Sequence, residues 1–513
     1  MKSLSPLQEH HQQTRSLALQ LQGEDVRAWL LRYGYFPEAY VLPPCFSVEQ
    51  CRTTGLPYFE VKANGKFKPD RTECQTIHFP KGKLTDRTFG IIDPHVHHDI
   101  VCALTADWAT VVNAMLPEAS SVSSFGFPVP IDSRHPGRLG HLRSGRSIYE
   151  FLRMAEDEIV TVAYRYSYIV RADIRNFYRS IYTHAISWAL HGKSFVRDSG
   201  RRHDFSLLGN RLDSLLQNAS DGCTNGIPIG PVVSDIAAEI LAAAVDVRFT
   251  EIAAQRGLEF EAVRFKDDYR ILVHAEANAL DAIKYLQSAL KDYNLELGEE
   301  KTAVVALPDG LFRPWVSLYH TAYPRRKKSL SWREFRELYL AVLRIDRQCP
   351  GTGVIDRFLA DIVSARGELK VQLKAEQLQN MLSMLLMLAR LRTKAFPKVL
   401  AIVEAITASQ MGQRHRGEIV AHLEQYLAEL SKDEGRNKYL LTWISYFLVS
   451  NGLENELRCP PKFTDPLVCM VFENRNTLFP TRSDFCLFRD SRIARQEMSL
   501  LKYLDVFRPP KEQ

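Results

Sequence analysis

Two adjacent aspartates, Asp267 and Asp268, stand in the middle of an otherwise β-prone run, AVRFKDDYRILVHA. Neighbouring carboxylates repel one another and lose solvation when half buried, so a plain turn would be better served by Asn-Gly. The flanking FEAVRF and YRILVH are rich in branched and aromatic residues, which predicts a β-hairpin with the aspartates at its tip. On this stretch alone a solvated Asp turn is the simpler reading. A third acid, Asp173, closes the apolar stretch YSYIVRAD, and the end of a buried strand is a common place for a catalytic group. Antiparallel neighbours would bring Asp173 beside Asp267. Three carboxylates tolerate one another when divalent cations neutralise them, and oxygen-only donors favour Mg²⁺ or Mn²⁺. Two such ions, about 3.5–4 Å apart, are the arrangement that aligns a 3′-hydroxyl with a nucleotide α-phosphate.

Two further stretches add to this set. TNGIPIGPVVSDIAAEILAAAVD carries Gly226, Pro228 and Gly230 in a loop that opens a long small-residue helix. Gly230 would let backbone approach a ligand closely, and Ser234 lies one turn further along. YNLELGEEKTAVV carries Lys301 after an amphipathic helix expected over about 276–292. Its ammonium could reach a triphosphate and protonate a leaving pyrophosphate.

The elements that must position these residues can be read coarsely. The 513 residues leave room for two to four domains, and 45% hydrophobic with 25% charged residues is an ordinary globular balance. A net charge of +6 permits a nucleic-acid partner without demanding one. The nine cysteines form no C-x-x-C pair, which argues against a disulfide framework or zinc ribbon and for a reducing compartment. The N-terminus is too polar for a secretory signal, and the longest apolar run, MLSMLLMLA, is too short to span a bilayer. A soluble intracellular protein with no membrane partner is expected. GYFPEAYVLPPCF breaks regular structure near the start. Residues 55–130 read as loops and short strands presenting basic groups. DPHVHHD (His95, His97, His98) fits no metal spacing and reads as loop or core. Strand and helix patterns alternate from about 145 to 310. After PRRKKSLSWREFREL, where Ser331 and Glu334 form a capping box, the pattern is helical to about 455, as in an α-solenoid. SLLKYLDVFRPPKEQ reads as a last helix ending at Pro509.

The order of the pieces is specific. Strand-Asp, then Gly-x-Pro-x-Gly-x-x-x-Ser, then aromatic-x-Asp-Asp, then Gly-x-x-Lys-Thr resembles motifs A, B, C and D of the reverse transcriptase palm. The resemblance implies that Asp173, the backbone carbonyl of Ile174, Asp267 and Asp268 hold two Mg²⁺ or Mn²⁺ ions, with the three aspartates catalytic. It implies that Tyr178 is the aromatic gate under the sugar that selects dNTPs over rNTPs. Gly230 and Ser234 match the motif B loop and helix beside the nascent base pair, and Lys301 the motif D lysine. Phe265-Lys266 replaces the usual Tyr-x, and Lys266 could touch the primer strand. Ile229 stands where many reverse transcriptases have Gln, which removes a polar contact near nucleotide or template.

GYFPEAYVLPPCF, the extended motif A DIRNFYRSIYTHAISWALHGK and the helical C-terminal region resemble the bacterial abortive-infection and defence-associated reverse transcriptases, the unknown-group class. This implies an α+β right-hand polymerase, with N-terminal segment and fingers over 1–150, palm over 151–315 and an all-α HEAT-like domain over 316–513. It also implies dNTPs, RNA and a DNA product as partners in the bacterial cytoplasm, and a dedicated non-coding RNA or template-independent, protein-primed synthesis; because solenoid-like domains often assemble, a homo-oligomer is expected. Arg87, and next Lys83, would meet the triphosphate from the fingers. Tyr426, Tyr439, Tyr446 and Tyr503 are the priming candidates by class analogy. The alternatives are a retron or group II intron-like reverse transcriptase and a catalytically decayed nucleic-acid-binding scaffold.

Overall fold

The computed structural model describes residues 5–80, 85–140, 151, 153–198, 200–323, 328–364, 367–492 and 500. A two-stranded hairpin, β1 (Gln75–Pro80) and β2 (Asp86–Ile91), precedes a five-stranded sheet. That sheet has the order β3-β5-β6-β4-β7, from β3 (Val122–Ser124), β4 (Tyr168–Asp173), β5 (Glu261–Phe265), β6 (Asp268–Val273) and β7 (Ala303–Ala306). Strand β3 runs parallel to β5, and the other neighbours are antiparallel. The hairpin expected around the paired aspartates is β5–β6, with one correction. Phe265 pairs with Asp268, so only Lys266 and Asp267 form the connection, and Asp268 already begins β6. Lys266 takes the left-handed conformation at φ 56°, a strain of roughly 1 kcal/mol for a residue with a Cβ.

The Val232–Gln255 helix is buried along most of its length, as a helix apolar on nearly all sides must be. It packs on the Glu276–Asp292 helix, which falls where its amphipathic period placed it, and on the Thr183–His191 helix, which ends at Gly192 as read. Residues 55–130 correct the expectation of loops and short strands. The helices Pro94–Ala106 and Trp108–Met115 lie there, and Ile100, Val101, Leu104, Val111 and Met115 are core. The first begins inside DPHVHHD, with Asp93 accepting from the His95 and Val96 N–H groups and Pro94 in the first turn.

His97 in that helix is buried with its ring centroid 4.7 Å from that of Tyr35. Burial pushes His97 down to about 3 and His11 down to about 4. Both folded values lie below the ordinary 6.5, so their contribution is complete above that pH and is lost as pH falls toward 4. At pH 5 the loss is on the order of 2 kcal/mol per ring. Melting temperature should therefore drop between pH 7 and 5, and His97→Gln should flatten that slope.

The helices Trp332–Gln348, Val354–Asp361, Leu378–Leu391, Phe396–Ala408, Arg416–Ser431 and Glu434–Asn451 coincide with the periodic apolar stretches, and the Ser331–Glu334 capping box is present. One apolar cluster joins Tyr35, Val41, Phe79 and Phe89 near the start of the chain to residues from Trp315 to Leu500. Polar ties cross the same boundary. Tyr439 Oη donates to Tyr40 O at 2.7 Å, Arg482 Nε to Asp93 Oδ2 at 2.9 Å, and Cys486 N to Gln50 O at 2.9 Å. Lys83, Tyr503, the basic residues 325–327 and the last helix apart from Leu500 lie outside the described residues. Among the described residues no helix is long and apolar enough to cross a membrane.

Candidate active site

Strand β4 brings the acids together. Its pairing with β6 sets Asp173 directly opposite Asp268, and the Ile174 N–H donates to Asp267 O at 3.1 Å. A pocket of about 230 Å³ opens here, lined by Asp173, Ile174, Asp267 and Lys301 on one side and by Arg87, Tyr178, Ile229 and Gly230 on the other. Burial, then the charge of Asp173, raises the Asp267 carboxyl above its ordinary range. Burial lifts Asp268 to about 6 against the opposing pull of Arg270, with Asp267 and Asp173 adding to the rise. Opposite Asp173, the Gly298 N–H donates to the Asp173 carbonyl at 2.7 Å, which seats the short turn Glu299–Lys301 on the strand end. Lys301 Nζ then donates to Asp173 Oδ1 at 2.7 Å. Burial works against the Lys301 ammonium, but the bond to Asp173 and the three carboxylates outweigh it and hold its pKa above the ordinary lysine value.

The glycine-proline loop forms the roof. It is held on three sides: Ile227 N donates to Tyr178 O at 2.9 Å, Gly90 N of β2 to Ile229 O at 2.9 Å, and Val232 N to Gly34 O at 2.8 Å. Gly230 has φ 129°, and a Cβ on it would stand 2.8 Å from Pro37 Cγ. Gly230→Ala is therefore expected to lower stability by about 1–3 kcal/mol and displace the loop from the pocket, read as a shifted denaturation midpoint. Ser234 is fully buried in the core, and its hydroxyl has no hydrogen-bond partner among the described residues.

Two acids that sequence reasoning missed complete the site. Tyr178 Oη donates to Asp235 Oδ1 at 2.5 Å, and Lys266 Nζ lies 3.6 Å from Asp235 Oδ2 and 3.9 Å from Glu38 Oε1. Tyr178 and the lysine before the aspartate pair are thereby tied to one buried carboxylate. Asp235 follows Ser234 in the motif B stretch and reads there as an ordinary helix-dipole acid. Glu38 sits between the prolines of GYFPEAYVLPP, the one signal that this segment carries polar work. Of the tyrosines singled out from sequence, Tyr439 and Tyr446 are core aromatics, and Tyr426 is partly buried against the same cluster.

The donor set suits a hard divalent cation in kind, being carboxylate and carbonyl oxygen only. Among the described residues no three His, Cys, Asp or Glu side chains gather closely enough to hold an ion by themselves. Mg²⁺ is usually held by one or two carboxylates together with substrate phosphates and water, and Asp173 and Asp267 in one pocket meet that requirement.

Residues 130–333 match the model of the family described as reverse transcriptase (RNA-dependent DNA polymerase). That span contains Asp173, Tyr178, Gly230, Asp267 and Lys301, which line one pocket. No curated protein matches the chain. Among solved structures it is similar to telomerase from Candida albicans in complex with the TWJ fragment of telomeric RNA, at 12% identity and a TM-score of 0.23, over 56% of this chain and 52% of that one. It is also similar to apo telomerase from Candida tropicalis, at 11% identity and a TM-score of 0.33, over 75% of this chain and 70% of that one. This chain thus spans about half the length of the first of these.

Proposed function

We propose that this chain is a DNA polymerase of the reverse transcriptase type that adds dNTPs by two-metal catalysis and acts in bacterial antiphage defence. The observation that carries the polymerase reading is the pairing of Asp173 with the Asp267–Asp268 hairpin under a pocket that also holds Lys301, Tyr178 and Arg87. Two bound divalent ions would lower the pKa of the primer 3′-hydroxyl and neutralise charge growing on the α-phosphate. Asp173, Asp267 and Asp268, with the Ile174 backbone carbonyl, would hold those ions. Lys301 Nζ, already protonated and aimed into the pocket, gives its proton to the departing pyrophosphate oxygen. Arg87 meets the triphosphate from β2. The Tyr178 ring lies under the sugar, and Asp235 fixes its hydroxyl. Synthesis either copies a dedicated non-coding RNA or is template-independent and protein-primed, and the C-terminal helices take the place of a thumb as a HEAT-like array. The defence role rests on the resemblance of the motif A and proline-rich stretches.

The test is dNTP incorporation by the purified full chain with Mg²⁺, with Asp267→Ala/Asp268→Ala as control. Incorporation that survives in the double variant would overturn the site. Sequencing the product, and asking whether it stays on the protein after denaturation, separates templated cDNA from protein-primed DNA. Phage plating on cells carrying either form tests defence, which fails if plating is equal. The gate has its own readout, the dNTP-to-rNTP ratio of kcat/KM. Tyr178→Val should lower that ratio by about 10–100-fold, and Asp235→Asn should lower it less and in the same direction.

A further inference from the structure

Behind the wall of the active site lies a second and larger cavity, of about 660 Å³, between the Thr183–His191 and Leu208–Asn218 helices and the segment that joins them. The two cavities share one stretch of chain: Tyr178 lines the first and Tyr182 the second. Its size falls within the roughly 300–1,000 Å³ of small-molecule sites.

The joining segment forms a cationic arch over this cavity. Arg197 and Arg202 line it beside His203, Arg202 Nε donates to Arg197 O at 3.2 Å, and among the described residues no carboxylate forms an ion pair with either guanidinium. A loose loop would let such charges spread into solvent, but this arch is pinned. Buried Asn210 donates from Nδ2 to Arg201 O at 2.8 Å and to Asp204 O at 2.9 Å, on either side of Arg202 and His203. Arg211 Nη2 donates to Phe205 O at 3.0 Å, and Ser187 Oγ fixes Asn210 itself through Oδ1 at 2.7 Å. Cations held close together repel unless an anion sits among them. Three aromatic rings, Tyr182, Trp188 and Phe205, line the same space, with the Tyr182 and Trp188 ring centroids 5.6 Å apart. Lys193 Nζ lies 4.4 Å from the Trp188 ring centroid. The one carboxylate in the lining, Asp213, is engaged by His184 Nδ1 and by Gln217 Nε2.

Guanidinium groups without a carboxylate partner, in a cavity that flat rings also line, make up the chemistry that recognises a phosphate carrying a base. We propose that this cavity is a second nucleotide site, taking one phosphate-bearing nucleotide unit, either free or as a residue of a single strand. Occupancy does not require polymerisation, so this site stands or falls apart from the catalytic reading.

Photolabelling of the full chain tests it, with 8-azido-AMP as the free probe and a single-stranded oligonucleotide carrying 5-iodouracil as the strand probe. Peptide mapping should find label within residues 182–205, competed by unlabelled AMP or oligonucleotide. Arg197→Glu/Arg202→Glu should cut that label at least tenfold at unchanged melting temperature. If the double variant fails to fold, Arg202→Gln alone should give a several-fold loss. Label with the first probe identifies a free nucleotide, and label with the second alone identifies a strand residue. Label confined in both arms to peptides around Asp173 and Asp267, or label at 182–205 that ignores the charge changes, overturns the proposal.

Discussion

Asp173→Asn should leave a folded protein whose dNTP incorporation has fallen by at least about a thousandfold, ~4 kcal/mol of lost transition-state stabilisation. The reasoning begins with what asparagine keeps. It has the shape of aspartate and can still accept from Lys301 Nζ, but it carries no charge. It also relieves repulsion, because Asp173 is one of the charges that raise the Asp267 and Asp268 carboxyls. Stability should therefore change little while activity collapses, a pairing that a purely structural aspartate would not produce. Lys301→Ala offers the contrast. It removes the proton donor and the counter-charge but leaves all three acids, so the loss should be nearer a hundredfold. Single-turnover incorporation with thermal melts of each variant reads both quantities, and equal losses for the two variants would contradict the assignment of separate roles.

The second large effect is on the fold. Arg264→Ala should lower stability by about 3–5 kcal/mol, read as a shift of the urea midpoint. Arg264 is fully buried in β5, with Nη2 2.8 Å from Glu239 Oε1 and Nε 2.8 Å from Asp246 Oδ2. Those acids lie two turns apart on the Val232–Gln255 helix, on one face. Ser124 Oγ and Tyr269 Oη donate to the same pair of carboxylates. Arg264 Nη1 also donates to Lys266 O at 3.0 Å, so the network reaches the turn that carries Asp267. Removing the guanidinium strands two buried carboxylates and frees that turn.

The pH dependence follows in sign. Burial already raises Asp246 to about 6 against the pull of Arg264, and loss of Arg264 raises it further. A carboxyl with a raised folded pKa contributes stability below its unfolded value of about 4, which is lost as pH rises through the folded one. The deficit of the variant should thus be greatest near pH 8 and shrink toward pH 5. Arg264→Met with Glu239→Gln and Asp246→Asn should recover much of it.

How much of this could be read in the residue order differs from element to element. That Asp173, Asp267, Gly230 and Lys301 share one pocket was legible because such residues are confined to strand ends, turns and a glycine loop, and Tyr178 joins them from the short Phe177–Ser180 helix. Asp268 was misplaced by one position, and in a strand one position changes the face. The helices at 94–115 were obscured by their histidines, which look like surface polar residues until His97 is seen buried against Tyr35. Arg264 alternates like an outward residue of β5. Only the tertiary approach of Glu239 and Asp246 turns it inward, and no local pattern encodes that approach. Asp235 was hidden for the same reason, since its partner Tyr178 lies on another element.

The apolar cluster that unites residues 35–91 with 315–500 bears on how the chain is made. Tyr35, Phe79 and Phe89 leave the ribosome first, but their packing partners follow up to some four hundred residues later. At about 5–20 residues per second that is an interval of roughly 20–80 s. Through that time their apolar faces lack these partners, and a nascent chain stopped near residue 315 leaves that side of the cluster uncovered. The half that carries the acid pocket thus depends on residues 315–500 for its packing, and it would need a holding chaperone until those residues have been made.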